Sequence, residues 1–90
     1  MTREEIEAFI EAVFPAESLL LSDNMDEAFI GLVSDRWGDS SPKAIYSISG
    51  CIKLIKEMGM TATEAEEYFS YNVEGAYVGE GTPLFIHTPD

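Results

Sequence analysis

Cys51 and His87 are the one thiol and the one imidazole in this sequence, so any nucleophilic or near-neutral general-base chemistry has to start from them. A Cys–His dyad also needs an acid that orients the imidazole, and no spacing nominates one. Cys51 falls on the apolar stripe of a helix, the position of a buried and inert thiol. His87 lies three residues from the last residue and reads as solvated. Structural zinc needs about four N, S or O donors in a compact set, which one Cys, one His and scattered carboxylates do not supply. Asp23, Asn24, Asp26 and Glu27 lack the spacing and central glycine of a twelve-residue calcium loop. Gly75, Gly79 and Gly81 form a glycine-rich run without a basic residue, and Glu74 and Glu80 sit within it. A phosphate cradle there would face carboxylates, so these glycines are read as allowing tight turns around Tyr77. Asn72 is read as satisfying backbone groups where a helix ends. No catalytic residue, metal ligand or cofactor is expected.

What remains is charge. Seventeen acids against five bases give a net charge of -12, which repels nucleic acid and anionic lipid. Direct nucleic-acid and membrane binding are therefore excluded as expectations. The same acidity suits a protein that presents carboxylates where a nucleic-acid-binding partner expects phosphates. The candidate partner-binding residues are Glu64, Glu66 and Glu67, clustered at a helix start, and Trp37, between Arg36 and Gly38 in a hairpin loop, which reads equally as an exposed anchor or as a ring folded back over the sheet edge. Charge for solubility alone is the competing reading, and a homodimer through a sheet edge or Trp37 is a third.

Positioning these groups takes one domain, because 90 residues cannot support two cores. Hydrophobic residues make up 46% of the chain, enough to offset chain entropy despite the charge. A lone cysteine forms no internal disulfide, the first residues carry acids where an export signal carries bases, and no apolar run approaches about 18 residues. A cytoplasmic protein is expected. Thr2 and Glu5 have capping-box spacing, and Ile6, Phe9, Ile10 and Val13 follow as one stripe, predicting a helix over 3–14 that Pro15 ends. Leu19-Leu20-Leu21 reads as a brief buried strand. Strand formers from Ala28 to Ser34 and from Lys43 to Tyr46 read as an antiparallel hairpin, with Gly31 marking a bulge or a close approach to the backbone. Ser47 caps a helix over 48–58 that Gly59 closes, and Thr61 and Glu64 open another over 62–74. Leu84 to Ile86 forms a last strand. The predicted class is α+β, a three-stranded antiparallel sheet with about three helices packed on one face.

The run Phe69-Ser70-Tyr71-Asn72-Val73-Glu74-Gly75-Ala76-Tyr77-Val78-Gly79-Glu80-Gly81-Thr82-Pro83-Leu84-Phe85 carries a specific pattern. Together with Asp26 to Gly31, Lys43 to Tyr46, Cys51 to Lys53 and Gly59 to Thr61, it resembles an uncharacterised family of small acidic bacteriophage and prophage proteins. The resemblance spans about Phe14 to Ile86 and implies a phage origin without an attached activity. Ser47-Ile48-Ser49-Gly50 departs from it, since acids usually follow the tyrosine there. The expected function is a non-enzymatic, protein-binding modulator of host machinery, with anti-defence inhibition as one form. A generic accessory or homodimeric structural domain is the alternative, and a small hydrolase the least favoured.

Overall fold

The computed structural model describes residues 1–15, 19–34, 42–75 and 81–89. Helix α1 (Arg3–Val13) opens on the expected capping box: the Thr2 hydroxyl accepts from the Glu5 amide at 3.2 Å, and the Glu5 carboxylate accepts from the Thr2 amide at 2.8 Å. Ile6 and Ile10 are buried, while Phe9 and Val13 on the flank of the stripe stay partly in solvent. A single 3₁₀ turn (Asp26–Ala28) leads into β1 (Phe29–Val33). β1 pairs antiparallel with β2 (Lys43–Ser47), as the hairpin reading requires. The register slips between Phe29 and Gly31, so the bulge is real. A Cβ at Gly31 would meet nothing within 4 Å, which removes the alternative of a close approach to the backbone.

Ser47 caps α2 (Ile48–Lys56) by accepting from the Gly50 amide at 3.1 Å, and Gly59 follows the helix with φ 104°, the left-handed geometry that favours glycine. The second capping box, Thr61 with Glu64, starts α3 (Ala62–Tyr68). From Phe69 to Glu74 the chain continues with π geometry; the Gly75 amide reaches back five residues to the Ser70 carbonyl at 3.0 Å. The expected single helix over 62–74 is thus one helix with two hydrogen-bond patterns. β3 (Leu84–Ile86) completes a sheet of order β1-β2-β3.

The class, the three helices and the three strands are as predicted, with one correction of direction. β3 lies parallel to β2, Tyr46 facing Phe85 across the pair, so the sheet is mixed. Between them α2, α3 and the π turn form a crossover, and a helical crossover returns the chain pointing the same way, whereas a tight turn reverses it. The Leu19–Leu21 run is a second correction. It forms no strand; the Leu20 amide reaches the Gly81 carbonyl at 3.4 Å, and Leu19 and Leu21 serve as packing groups.

One core lies between the helices and the inner face of the sheet, built around Ile6, Tyr46, Cys51, Ile55 and Ala65, all fully buried. Aromatic rings run through it from α1 to the π turn. Phe9 meets Phe29 edge-on at 6.4 Å, Phe29 meets Tyr46 edge-on at 5.8 Å, Tyr46 stacks on Phe85 at 5.6 Å, and Phe85 meets Phe69 edge-on at 5.3 Å. Each such pair contributes about 0.5–1.5 kcal/mol beyond the area it buries. Ile30, Val33, Leu84 and Ile86 remain exposed on strand positions away from this core. No helix among the described residues is long and apolar enough to cross a membrane.

Candidate functional site

The three glutamates nominated as partner-binding residues all stand exposed on α3, but they are not equivalent. Glu64 is committed to the capping box, its carboxylate accepting from the Thr61 amide at 2.9 Å. Glu66 and Glu67 are left for solvent or a partner. Beyond them the same helix exposes Tyr71 and Glu74, which sequence reasoning did not nominate; Tyr71 is 81% exposed. The available signal was positional: with Ala65 and Phe69 buried, Glu67, Tyr71 and Glu74 follow one another along the side that faces away. No Lys or Arg occurs after Lys56, so nothing in the chain's last third neutralises this ridge. Trp37 and Tyr77 lie outside the described residues.

Elsewhere acids are partly compensated. Arg3 lies 3.0 Å from the Asp26 carboxylate, and that hydrogen bond, ahead of the opposing cost of burial, holds the guanidinium above its ordinary pKa. Asp26 is thereby engaged by a cation of the chain itself. Among the described residues no three His, Cys, Asp or Glu side chains converge as metal ligands do. Cys51 is fully buried, and burial pushes its thiol up to about 11, which leaves almost no thiolate at neutral pH. His87 is exposed.

A cleft of about 570 Å³ opens between the 20–25 segment, the last turn of α3 with the π turn, and residues 82–85. Its wall is held at Ser22 from two sides. The Ser22 amide donates to the Tyr46 hydroxyl at 3.0 Å, and the Ser22 carbonyl accepts from Arg3 Nη2 at 3.1 Å. Burial raises the Tyr46 pKa, with the Ser22 amide pulling the other way, so the phenol stays protonated and neutral across the physiological range. Leu21, Met25, Val73 and Phe85 supply the apolar surface, and Asp23, Asn24, Tyr68 and Asn72 supply polar groups. Asn72 is therefore a cleft residue. Its amide makes no hydrogen bond to another described residue, and the turn after Gly75 that it was expected to serve lies outside the described residues.

No protein-family model, curated protein or solved structure matches this chain. Ridge and cleft have to be interpreted from their own chemistry. The ridge is exposed, and its glutamates make no ion pair with another described residue. The cleft is concave, within the size range of small-molecule sites, and is bordered by Tyr68, Asn72 and Val73 of the same helix.

Proposed function

We propose that this protein is a non-enzymatic, protein-binding modulator whose ridge of Glu66, Glu67, Tyr71 and Glu74 meets a basic, nucleic-acid-binding surface on its partner. The observation that carries the reading is Tyr71, a large aromatic 81% exposed among carboxylates with no nearby Lys or Arg in the sequence. Exposed tyrosines are favoured anchors at protein interfaces, and a ring among acids offers an Arg-rich surface both cation–π and ion-pair contacts. The resemblance to phage proteins makes host machinery in the cytoplasm the target class, and an anti-defence role one form of it.

The test uses two charge-matched variants. Each Glu→Lys reversal adds two charges, so reversing Glu66, Glu67 and Glu74, or reversing Glu4, Glu7 and Glu11 on α1, takes the net charge from -12 to -6 either way. Glu64 and Glu5 are spared because they cap helices. Heparin and a DNA-binding cationic domain serve as probes: the domain binds the parent, heparin competes, and the ridge triplet or Tyr71→Ala abolishes binding while the α1 triplet weakens it only modestly. Equal modest losses from both triplets, with no effect of Tyr71→Ala, would reduce the acidity to a solubility device.

The exposed aliphatics of the strands favour a second reading, a homodimer. None of the three strands contains an acid, so a second copy could lie on them without like-charge repulsion at the contact. A monomeric mass at high protein concentration and high salt would remove it.

A further inference from the structure

We infer that the cleft between the 20–25 segment and the π turn is a binding site for a small organic cation with a compact apolar body. Three independent features lead there. First, the sign of the charge is set. Among the described residues Asp23 is the one charged side chain that lines the cleft, and no Lys, Arg or His lines it to hold a phosphate or carboxylate. Asp23 makes no ion pair or hydrogen bond to another described residue and is affected by Arg3 only at longer range, since Arg3 is committed to Asp26 and the Ser22 carbonyl. A net charge of -12 further raises the local concentration of cations.

Second, the polar and apolar surfaces are arranged for a molecule with two ends. Asp23 and the amides of Asn24 and Asn72 can receive an ammonium group, whose N–H bonds need acceptors in different directions. Met25, Val73 and Phe85 offer apolar contact to the remainder of the ligand. Third, two backbone irregularities border this one cavity. Asn24 is the described non-glycine residue at positive φ, 64°, and Asn72 and Val73 belong to the π turn. Such geometries cost energy, and they concentrate where a side chain must be aimed at a ligand. Here they lie in the two segments that bring the two asparagines to the cleft. The wall bearing Asn24 does not have to be ordered on binding, because Tyr46 and Arg3 already fix Ser22.

Benzylammonium, benzyl alcohol and benzoate share one apolar body and differ in charge, which makes them suitable probes. Amide chemical shifts of the full chain would be followed at physiological salt, which screens the general field. Benzylammonium is expected to shift residues 20–25, 68–73 and 82–85 saturably and to bind about tenfold more tightly than benzyl alcohol, with benzoate weakest. Asp23→Asn brings benzylammonium to the level of the alcohol, whereas Glu7→Gln, the same loss of one charge on α1, leaves it unchanged. Asn72→Asp adds a second carboxylate on the exposed side of the π turn and tightens binding. The inference is overturned by equal affinity for ammonium and alcohol, by equal weakening in Asp23→Asn and Glu7→Gln, by shifts confined to the α1 and α3 surfaces, or by no saturable binding up to about 20 mM.

Discussion

Replacing Tyr46 by Phe removes a single oxygen from the middle of the fold and leaves every ring contact in place. The hydroxyl is the acceptor for the Ser22 amide at 3.0 Å, and Tyr46 is fully buried. Without it a partly buried N–H loses its partner, a loss of about 1–2 kcal/mol. The aromatic neighbours Phe29 and Phe85 remain, so the additional cost of about 3–5 kcal/mol that accompanies truncation to alanine does not arise. In a domain of this size each kcal/mol lowers the melting temperature by about 4–8 °C, which places Tyr46→Phe about 5–15 °C below the parent. Urea denaturation gives the free energy, and amide exchange gives its location: Ser22 should lose protection while the Ile6 and Ile55 amides follow global stability. Arg3 holds the other side of the same peptide through the Ser22 carbonyl at 3.1 Å. Arg3→Ala and Tyr46→Phe should therefore couple by about 0.5 kcal/mol or more in a double-mutant cycle. If Tyr46→Phe melts within a degree or two of the parent and Ser22 exchange is unchanged, the hydroxyl is not what anchors the cleft wall.

The two glycines Gly31 and Gly75 should respond to alanine with opposite signs. A Cβ at Gly31 meets open space, so Gly31→Ala should stabilise by about 0.5 kcal/mol by restricting the unfolded chain, whereas at Gly75 the new atom would lie 2.8 Å from the Ser70 carbonyl oxygen, and Gly75→Ala should cost about 1–3 kcal/mol; thermal melts of both variants check the pair. Stability should also fall in alkali. The buried Cys51 thiol titrates near 11 in the fold and about two units lower when unfolded, so the unfolded chain loses its proton first; stability holds below about pH 8.5 and declines by about 2–3 kcal/mol as pH rises towards 11. The raised pKa of Tyr46 acts in the same direction above about pH 10. Urea midpoints at pH 7, 9 and 10.5 should show this slope, and Cys51→Ala should flatten its lower part.

Much of this protein was legible in its sequence because much of it is local. Both capping boxes depend on residues three apart, and both form as read at Thr2–Glu5 and Thr61–Glu64. Strand formers separated by a polar segment give the hairpin of β1 and β2, and the glycine within β1 marks the slip in its register. Cys51 is buried because it occupies the apolar stripe of α2. The candidate partner surface was half visible: Glu66 and Glu67 could be named from charge, but Tyr71 resembled any other aromatic beside Phe69 until the buried side of the helix was known. Tertiary structure alone decided the rest. The direction of β3 depends on where the crossover helices leave the chain, and Leu84-Phe85-Ile86 would read identically either way round. The Leu19–Leu21 run has strand-like composition, yet among the described residues it meets one backbone carbonyl, that of Gly81 ahead of β3, and no ladder. Tyr46 could be placed on a strand from its neighbours but not matched to Ser22, twenty-four positions earlier. The cleft gathers Asp23, Asn72 and Phe85 from three separate segments; each is unremarkable in its own stretch of sequence, and only the packing of those segments around one aromatic core brings a carboxylate, an amide and an apolar ring to the same cavity.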